Sequence, residues 1–171
     1  MFLKGFKQKS AKKILDKQLR ISREISKQKI KTIGVLVDAT VISEFSYFKE
    51  LATLFEIPKA NIELLYYHPN KKEALLIGDN AVHDGVLGFG GKLNHEIANK
   101  FLGTSFDALL NYYPEDKLLL NLLSVRSKAK FKIGFVGTNE LMNDLAIKTS
   151  ISNIDVFTKE LKKYLPILNQ I

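Results

Sequence analysis

Four polar residues that follow predicted strands are the first candidates for chemistry in this chain. The candidate ligand pocket consists of Asp38, His68, Tyr112 and Asn139. In open α/β sheets, ligands bind beyond the carboxyl ends of the strands, near the point where the strand order reverses. A carboxylate, an imidazole, a phenol and an amide would offer donors and acceptors to a small polar molecule. The same residue types also cap strand ends and form turns, which is the structural alternative.

The histidines give no indication of a metal site or a catalytic triad. His68, His83 and His95 lack the spacing of metal ligands, and the chain contains no cysteine. The sequence also lacks the G-x-S-x-G motif that presents a serine nucleophile. We therefore expect no metal, no cofactor and no catalytic residue, and the sequence leans against an enzyme without excluding one.

A glycine-rich segment, residues 78–92, holds five of the ten glycines but matches no phosphate-binding loop. Gly85 stands at the Walker spacing from Gly90, yet Gly91 separates Gly90 from Lys92 and Leu93 replaces the Ser or Thr. The first predicted strand is followed by Asp-Ala-Thr rather than by the glycines of a dinucleotide fingerprint. The segment therefore predicts a loop that contains a fragment of an edge strand and presents an aromatic residue, Phe89.

These candidates would be positioned by apolar strands that alternate with amphipathic helices. The predicted strands cover residues 30–37, 62–67, 74–77, 106–112, 131–136 and 145–148, and the predicted helices cover 44–55, 95–102, 114–125 and 154–168. Continuous apolar strands between helices indicate a parallel sheet covered on both faces. We expect an α/β fold, a Rossmann-like or flavodoxin-like three-layer sandwich with a mostly parallel sheet of five or six strands.

The positive charge of the chain is concentrated at its N-terminus. Residues 1–31 contain eleven Lys or Arg and two acidic residues, a net charge of +9, whereas the other 140 residues carry −1. A predicted helix over residues 9–29 has an apolar stripe formed by Ala11, Ile14, Leu15, Leu19, Ile21 and Ile25. Its opposite side carries Lys9, Lys12, Lys13, Arg20, Arg23 and Lys27. We expect a basic amphipathic helical arm over residues 1–31 and a single α/β domain over residues 32–171.

A concentrated block of basic residues favours a polyanionic partner. We hypothesise a non-enzymatic RNA-associated protein whose six basic arm residues bind phosphates. A more specific form of this hypothesis is association with the ribosome. One alternative is a small-molecule-binding protein or an enzyme that uses the carboxyl-end face of the sheet. Another is a scaffold whose arm packs on a partner protein or binds an anionic membrane surface. In the plainest alternative, the apolar stripe docks on the domain and the basic residues are simply solvated.

The chain also resembles a known group of proteins. FLKGFKQKSAKK, FDALLNYY, AKFKIGF, LMNDLAIK and FTKELKKYLPILNQI resemble an uncharacterised flavobacterial family, a domain-of-unknown-function group. The resemblance covers nearly the whole length, including the basic arm, and implies a bacterial cytoplasmic setting but no activity. The absence of a membrane-length apolar run and of a signal-peptide core likewise predicts a cytoplasmic protein without a transmembrane segment.

Overall fold

The computed structural model describes residues 2–21, 25, 28–168 and 171. The strands within these residues are β1 Ile33–Asp38, β2 Ile62–Tyr67, β3 Ala81–Val82, β4 Ala108–Tyr112, β5 Phe131–Phe135 and β6 Leu145–Ile147. The helices are α1 Phe2–Leu19, α2 Ser46–Phe55, α3 Lys71–Ile77, α4 Glu96–Gly103, α5 Leu118–Arg126 and α6 Ile154–Ile167. Single 3-10 turns cover Lys59–Asn61, Asp84–Val86 and Phe89–Gly91.

The six described strands form one sheet in the order β3-β2-β1-β4-β5-β6, and every pairing is parallel. This is the strand order of a Rossmann sheet and not the flavodoxin order: successive strands are added outward from β1 on one side up to β3, and the order then reverses so that β4 pairs with the other side of β1. The predicted α/β sandwich is therefore confirmed. The reversal point brings the carboxyl ends of β1 and β4 side by side, with Val37 paired to Tyr112.

Helices cover both faces of the sheet because successive strand residues point to opposite sides. Val35 and Val37 of β1 pack in one apolar cluster, whereas Leu36 between them packs in the other. The first cluster is completed by α2 and α6 through Phe48, Leu51, Phe55, Phe157, Leu161 and Leu165. The second is completed by α1, α4 and α5 through Ala11, Phe101, Leu102, Leu119, Leu120, Leu122 and Leu123.

Helix α5 explains why α1 docks on the body of the protein. Its Leu119, Leu120, Leu122 and Leu123 are all at most 2% exposed, so the helix is buried all round rather than along one stripe. A helix of this kind needs a cover on the side away from the sheet. Helix α1 supplies that cover, with Ala11 fully buried and in the same cluster.

Two predicted elements are corrected by the structure. Residues 74–77, predicted as a strand, form the end of α3, which begins after Asn70 because the Asn70 side chain accepts a hydrogen bond from the Lys72 N–H at 2.8 Å. A short apolar run does not distinguish a strand from a helix by periodicity alone, and here the cap decides. The edge strand is β3, which is the fragment of edge strand predicted within the glycine-rich segment.

The N-terminal helix begins and ends earlier than its predicted bounds, residues 9–29. It runs from Phe2 to Leu19 and closes with a turn in which the Ile21 N–H bonds to the Gln18 carbonyl at 3.1 Å. Ile21 and Ile25 are 59% and 50% exposed, so they do not extend the buried stripe. The last helical residue, Leu19, is also the last residue of the stripe that packs on the second cluster, which a helical wheel alone does not reveal.

Asp107 ties the start of β4 to the segment before β1, and its loss is expected to be costly. Its Oδ2 accepts bonds from Lys31 N, Thr32 N and Thr32 Oγ1 at 3.0–3.1 Å, and Lys130 Nζ lies 2.9 Å from Oδ1. We expect Asp107→Asn to lower the free energy of unfolding near pH 7 by about 2 kcal/mol, since an amide cannot accept all these bonds. Chemical denaturation measures this.

The effect of Asp107 should depend on pH. Burial alone would raise the pKa of Asp107, but hydrogen bonds from Lys130, Lys31 and Thr32 outweigh it and lower the pKa. The stabilisation is then present above the unfolded-state pKa of about 4 and is lost as the pH falls through the lower folded-state value. The difference in unfolding free energy between the wild type and Asp107→Asn should therefore become smaller below about pH 4. If that difference stays constant down to pH 3, the stabilisation does not come from the ionised Asp107 carboxylate.

Candidate functional site

The docked helix α1 presents a basic face to the surrounding solution. This face is defined by the four described members of the predicted set, Lys9, Lys12, Lys13 and Arg20, all of which are exposed. The other two members, Arg23 and Lys27, lie outside the described residues. At about 1.5 Å per residue, the 18-residue helix extends about 27 Å. The basic face is therefore a fixed strip of charge rather than a free tail.

The basic side chains are not neutralised within the described part of the chain. No ion pair found there involves Lys9, Lys12, Lys13 or Arg20. Asp16 lies within the same face by its helical spacing and offsets one positive charge, while exposed Lys17 adds another. The strip consequently keeps a net positive charge that a partner can neutralise.

An exposed aromatic pair, Phe6 and Phe89, adjoins the basic face. Phe6 is 65% exposed and Phe89 is 52% exposed, and their ring centroids are 6.2 Å apart. The Lys7 ammonium lies over the Phe89 ring, 5.2 Å from its centroid. Sequence reasoning placed Phe89 in a loop but did not connect it with α1, because the two meet only through tertiary packing.

The Phe89–Gly91 turn holds Phe89 in this position. Gly91 has φ +70°, a backbone conformation that favours glycine, and it packs closely on α1, where a Cβ would stand 2.9 Å from Ile14 Cδ1. Arg126 Nη1 donates a hydrogen bond to the Gly91 carbonyl at 2.6 Å. The turn is thus fastened to both α1 and α5, and the aromatic pair is part of the fold.

A second feature, the edge cleft, lies at the carboxyl end of the sheet. It has a volume of about 860 Å³ and is bounded by the start of α1, the end of β2, the Asp84–Val86 turn and the start of α5. Its lining residues that carry polar groups are Lys7, Gln8, Tyr67, Lys71, His83, Asp84 and Lys117. A volume of this size falls within the range of small-molecule sites.

An ion pair at the reversal point of the sheet supports one wall of the edge cleft. Asp38 is fully buried at the end of β1, and its Oδ2 lies 2.5 Å from Lys117 Nζ. Its Oδ1 accepts bonds from Thr40 N at 3.0 Å and Thr40 Oγ1 at 2.6 Å. Lys117 also lies over the ring of Tyr67, 5.6 Å from its centroid. Both charges are thereby committed to each other.

Tyr67 and His83 line the edge cleft, but neither is placed to act as a base. The Tyr67 hydroxyl donates to Asp84 Oδ1 at 2.9 Å, and burial raises the pKa of Tyr67, with the charge on Asp84 raising it further. His83 Nδ1 accepts a bond from Gly85 N at 3.0 Å, so its neutral ring carries the proton on Nε2. Burial lowers the pKa of His83, and the positive charge of Lys71 lowers it further. These groups suit recognition of a polar or anionic molecule better than proton abstraction.

The four residues of the predicted pocket do not line one site. Asp38 lies behind the edge cleft, and the half-buried His68 forms a local turn in which its Nδ1 accepts from Asn70 N at 3.2 Å. Tyr112 is fully buried in the cluster on the opposite face and donates to the Ile151 carbonyl at 2.8 Å. Asn139 lines a separate cleft of about 520 Å³ beyond β5. Alternation along the strands sends Asp38 and Tyr112 to opposite sides of the sheet.

Sequence reasoning missed Tyr67, Asp84 and Lys117 as members of the cleft. Lys117 precedes α5 and reaches the end of β1 only because β4 is the neighbour of β1. The one available signal was the adjacent His83-Asp84 pair within the glycine-rich segment, which the structure places at the mouth of the cleft. Within the described residues, no three His, Cys, Asp or Glu side chains are grouped as metal ligands.

The chain belongs to the family described as Family of unknown function (DUF6913), whose model matches residues 7–168. This confirms the resemblance to an uncharacterised family. The matched range takes in most of α1 together with the sheet and α6, so the docked N-terminal helix lies within the family's extent. Comparison with curated proteins and with solved structures gave no match. Among the helices of the described residues, none combines the length and apolarity needed to cross a membrane.

Proposed function

We propose that this protein binds RNA, in a non-enzymatic role, through the basic face of α1. The observation that carries the proposal is the way in which α1 is docked. Its apolar side chains, Ala11 and Leu15, are 0% and 8% exposed against the body of the protein, whereas the four basic residues point outward. A rigid strip of positive charge that has no ion-pair partner among the described residues is suited to a phosphate backbone, whose binding is driven by counterion release.

The same docking disfavours the scaffold alternative. An interfacial membrane helix buries its apolar face in the lipid, and a partner helix would pack against that face. In this protein the apolar face of α1 already covers α5. Insertion of that face into lipid or its packing on a partner helix would require α1 to detach and expose the leucines of α5, at a cost of about 25 cal/mol for each Å² of apolar surface. Binding to RNA requires no such rearrangement.

The edge cleft gives weaker support for the alternative of a small-molecule site. Lys117 in its lining is paired with Asp38 behind the cleft wall, and Tyr67 is bonded to Asp84. The described basic face, in contrast, has no internal partners to displace. For this reason RNA association is the primary proposal, with ribosome association as the version that co-sedimentation with ribosomal subunits would test.

The salt dependence of RNA binding by the full-length chain tests the proposal. Each phosphate contact contributes about 0.7 to 0.9 to the slope of log affinity against log salt concentration, with a negative sign. Four contacts from the basic face therefore predict a slope of about −3 to −4. Fluorescence anisotropy with a labelled RNA at several salt concentrations measures this slope. Affinity that is independent of salt would contradict the proposal.

A further inference from the structure

We propose that the aromatic pair, Phe6 and Phe89, stacks on unpaired nucleobases, so that the RNA bound by the basic face is single-stranded. This inference rests on the proposed function and deepens it by naming the class of RNA. In single-stranded RNA the base faces are available to aromatic side chains, whereas in a duplex they are stacked on one another. The aromatic pair would then distinguish single-stranded from double-stranded RNA, while the lysines contact phosphates.

The geometry of the pair supports stacking. Both residues are more than half exposed, and their rings are tilted by 52° with centroids 6.2 Å apart, so each side chain remains accessible to a ligand. Phe89 is held on the Phe89–Gly91 turn, which packs on Ile14 of α1. The rings are therefore presented in a fixed arrangement, which lowers the entropic cost of stacking a base upon them.

Charge complementarity selects RNA as the occupant of the pair. Phe6, Lys9 and Lys13 are spaced i, i+3 and i+7 on α1, so they lie along one side of the helix. At about 1.5 Å per residue, the distance along the axis from Phe6 to Lys13 is about 10 Å. Lys7 adds a third ammonium group directly over Phe89. Aromatic rings interleaved with cations are the arrangement by which proteins bind single strands.

The test compares three polyanions with the full-length protein and its variants. The probes are a single-stranded oligouridine RNA, an RNA duplex of the same length and inorganic polyphosphate, which has no bases. We expect Phe89→Ala and Phe6→Ala each to weaken binding of the single strand by about 5- to 150-fold. Binding of the duplex and of polyphosphate should change less than about threefold, because neither offers an open base face. Phe89→Tyr should retain single-strand binding.

A matched control removes an exposed apolar side chain elsewhere. Leu76 on α3 is 81% exposed, and Leu76→Ala should leave the affinities for all three probes unchanged. Unchanged single-strand binding in Phe6→Ala and Phe89→Ala would overturn the stacking assignment while leaving the proposed function intact. An equal loss on all three probes would also overturn it, because it would indicate that the pair only supports the position of α1.

Two further results of these experiments can be told apart from single-strand binding. If wild-type protein binds neither RNA nor polyphosphate, the proposed function fails and the stacking assignment fails with it. If the chain self-associates in a concentration-dependent manner that Phe89→Ala abolishes, with RNA affinity unchanged, the aromatic pair docks a second copy of the chain. Analytical ultracentrifugation of the wild type and the Phe89→Ala variant separates that result, which would overturn the proposal, from single-strand binding.

Discussion

Replacing Lys117 with methionine is expected to lower the free energy of unfolding by about 3–5 kcal/mol. The substitution removes the cation that lies 2.5 Å from Asp38 Oδ2, and Asp38 is fully buried at the end of β1. Thr40 still donates two bonds to the other carboxylate oxygen, but the negative charge is left without a counterion. An uncompensated buried charge is among the most destabilising changes in a protein interior. Urea denaturation followed by circular dichroism measures the loss.

A surface ion pair of similar geometry provides the control. Lys59 Nζ lies 2.6 Å from Glu50 Oε1, but the two side chains are 60% and 61% exposed. Lys59→Met should therefore cost less than about 1 kcal/mol, because water replaces the lost partner. The double variant Asp38→Asn, Lys117→Met should recover much of the stability lost in Lys117→Met. If Lys117→Met is as mild as Lys59→Met, the Asp38 carboxylate is not the charge that Lys117 compensates.

The layered fold was predictable because its signal is local. A continuous apolar run such as residues 33–37 requires burial on both faces, which a parallel sheet between helix layers provides. The strand order was not predictable, because it depends on which crossover passes over which face. The leucines of α5 were a further indication in the sequence. A helix that is apolar on every side must pack against the sheet on one side and against another element on the other. That pattern could have indicated that α1 docks rather than extends from the domain.

The site was less predictable than the fold because it depends on register and side-chain direction. The strand-end rule correctly pointed to Asp38 at the reversal point of the sheet, yet it could not tell that Tyr112 faces the opposite layer. Tyr112 pairs with Val37, so it points to the same face as Val37, whereas the next residue, Asp38, points to the other face. This pairing depends on the tertiary structure and is not visible in the sequence. Phe6 and Phe89 are separated by more than eighty residues, and nothing in their local sequence indicates that their rings meet.

The larger functional effect is expected from the basic face. Replacing Lys9, Lys12, Lys13 and Arg20 together with glutamine should reduce RNA affinity about 100- to 1,000-fold near 0.1 M salt and reduce the magnitude of the salt slope by about 3. Glutamine is nearly as good a helix former as lysine and arginine, and the four side chains are exposed. The free energy of unfolding should therefore change little, so that the loss reports binding rather than folding.

A matched set of lysines distinguishes a local site from general attraction by net charge. Lys100, Lys148, Lys159 and Lys162 are also exposed but belong to other parts of the chain than α1. Their simultaneous replacement by glutamine removes the same four charges, and we expect RNA affinity to fall less than about tenfold, because distant charges act only through screened long-range attraction. Anisotropy titrations at two salt concentrations compare the two quadruple variants. Equal losses would mean that the net charge of +8, and not the docked helix, attracts the RNA.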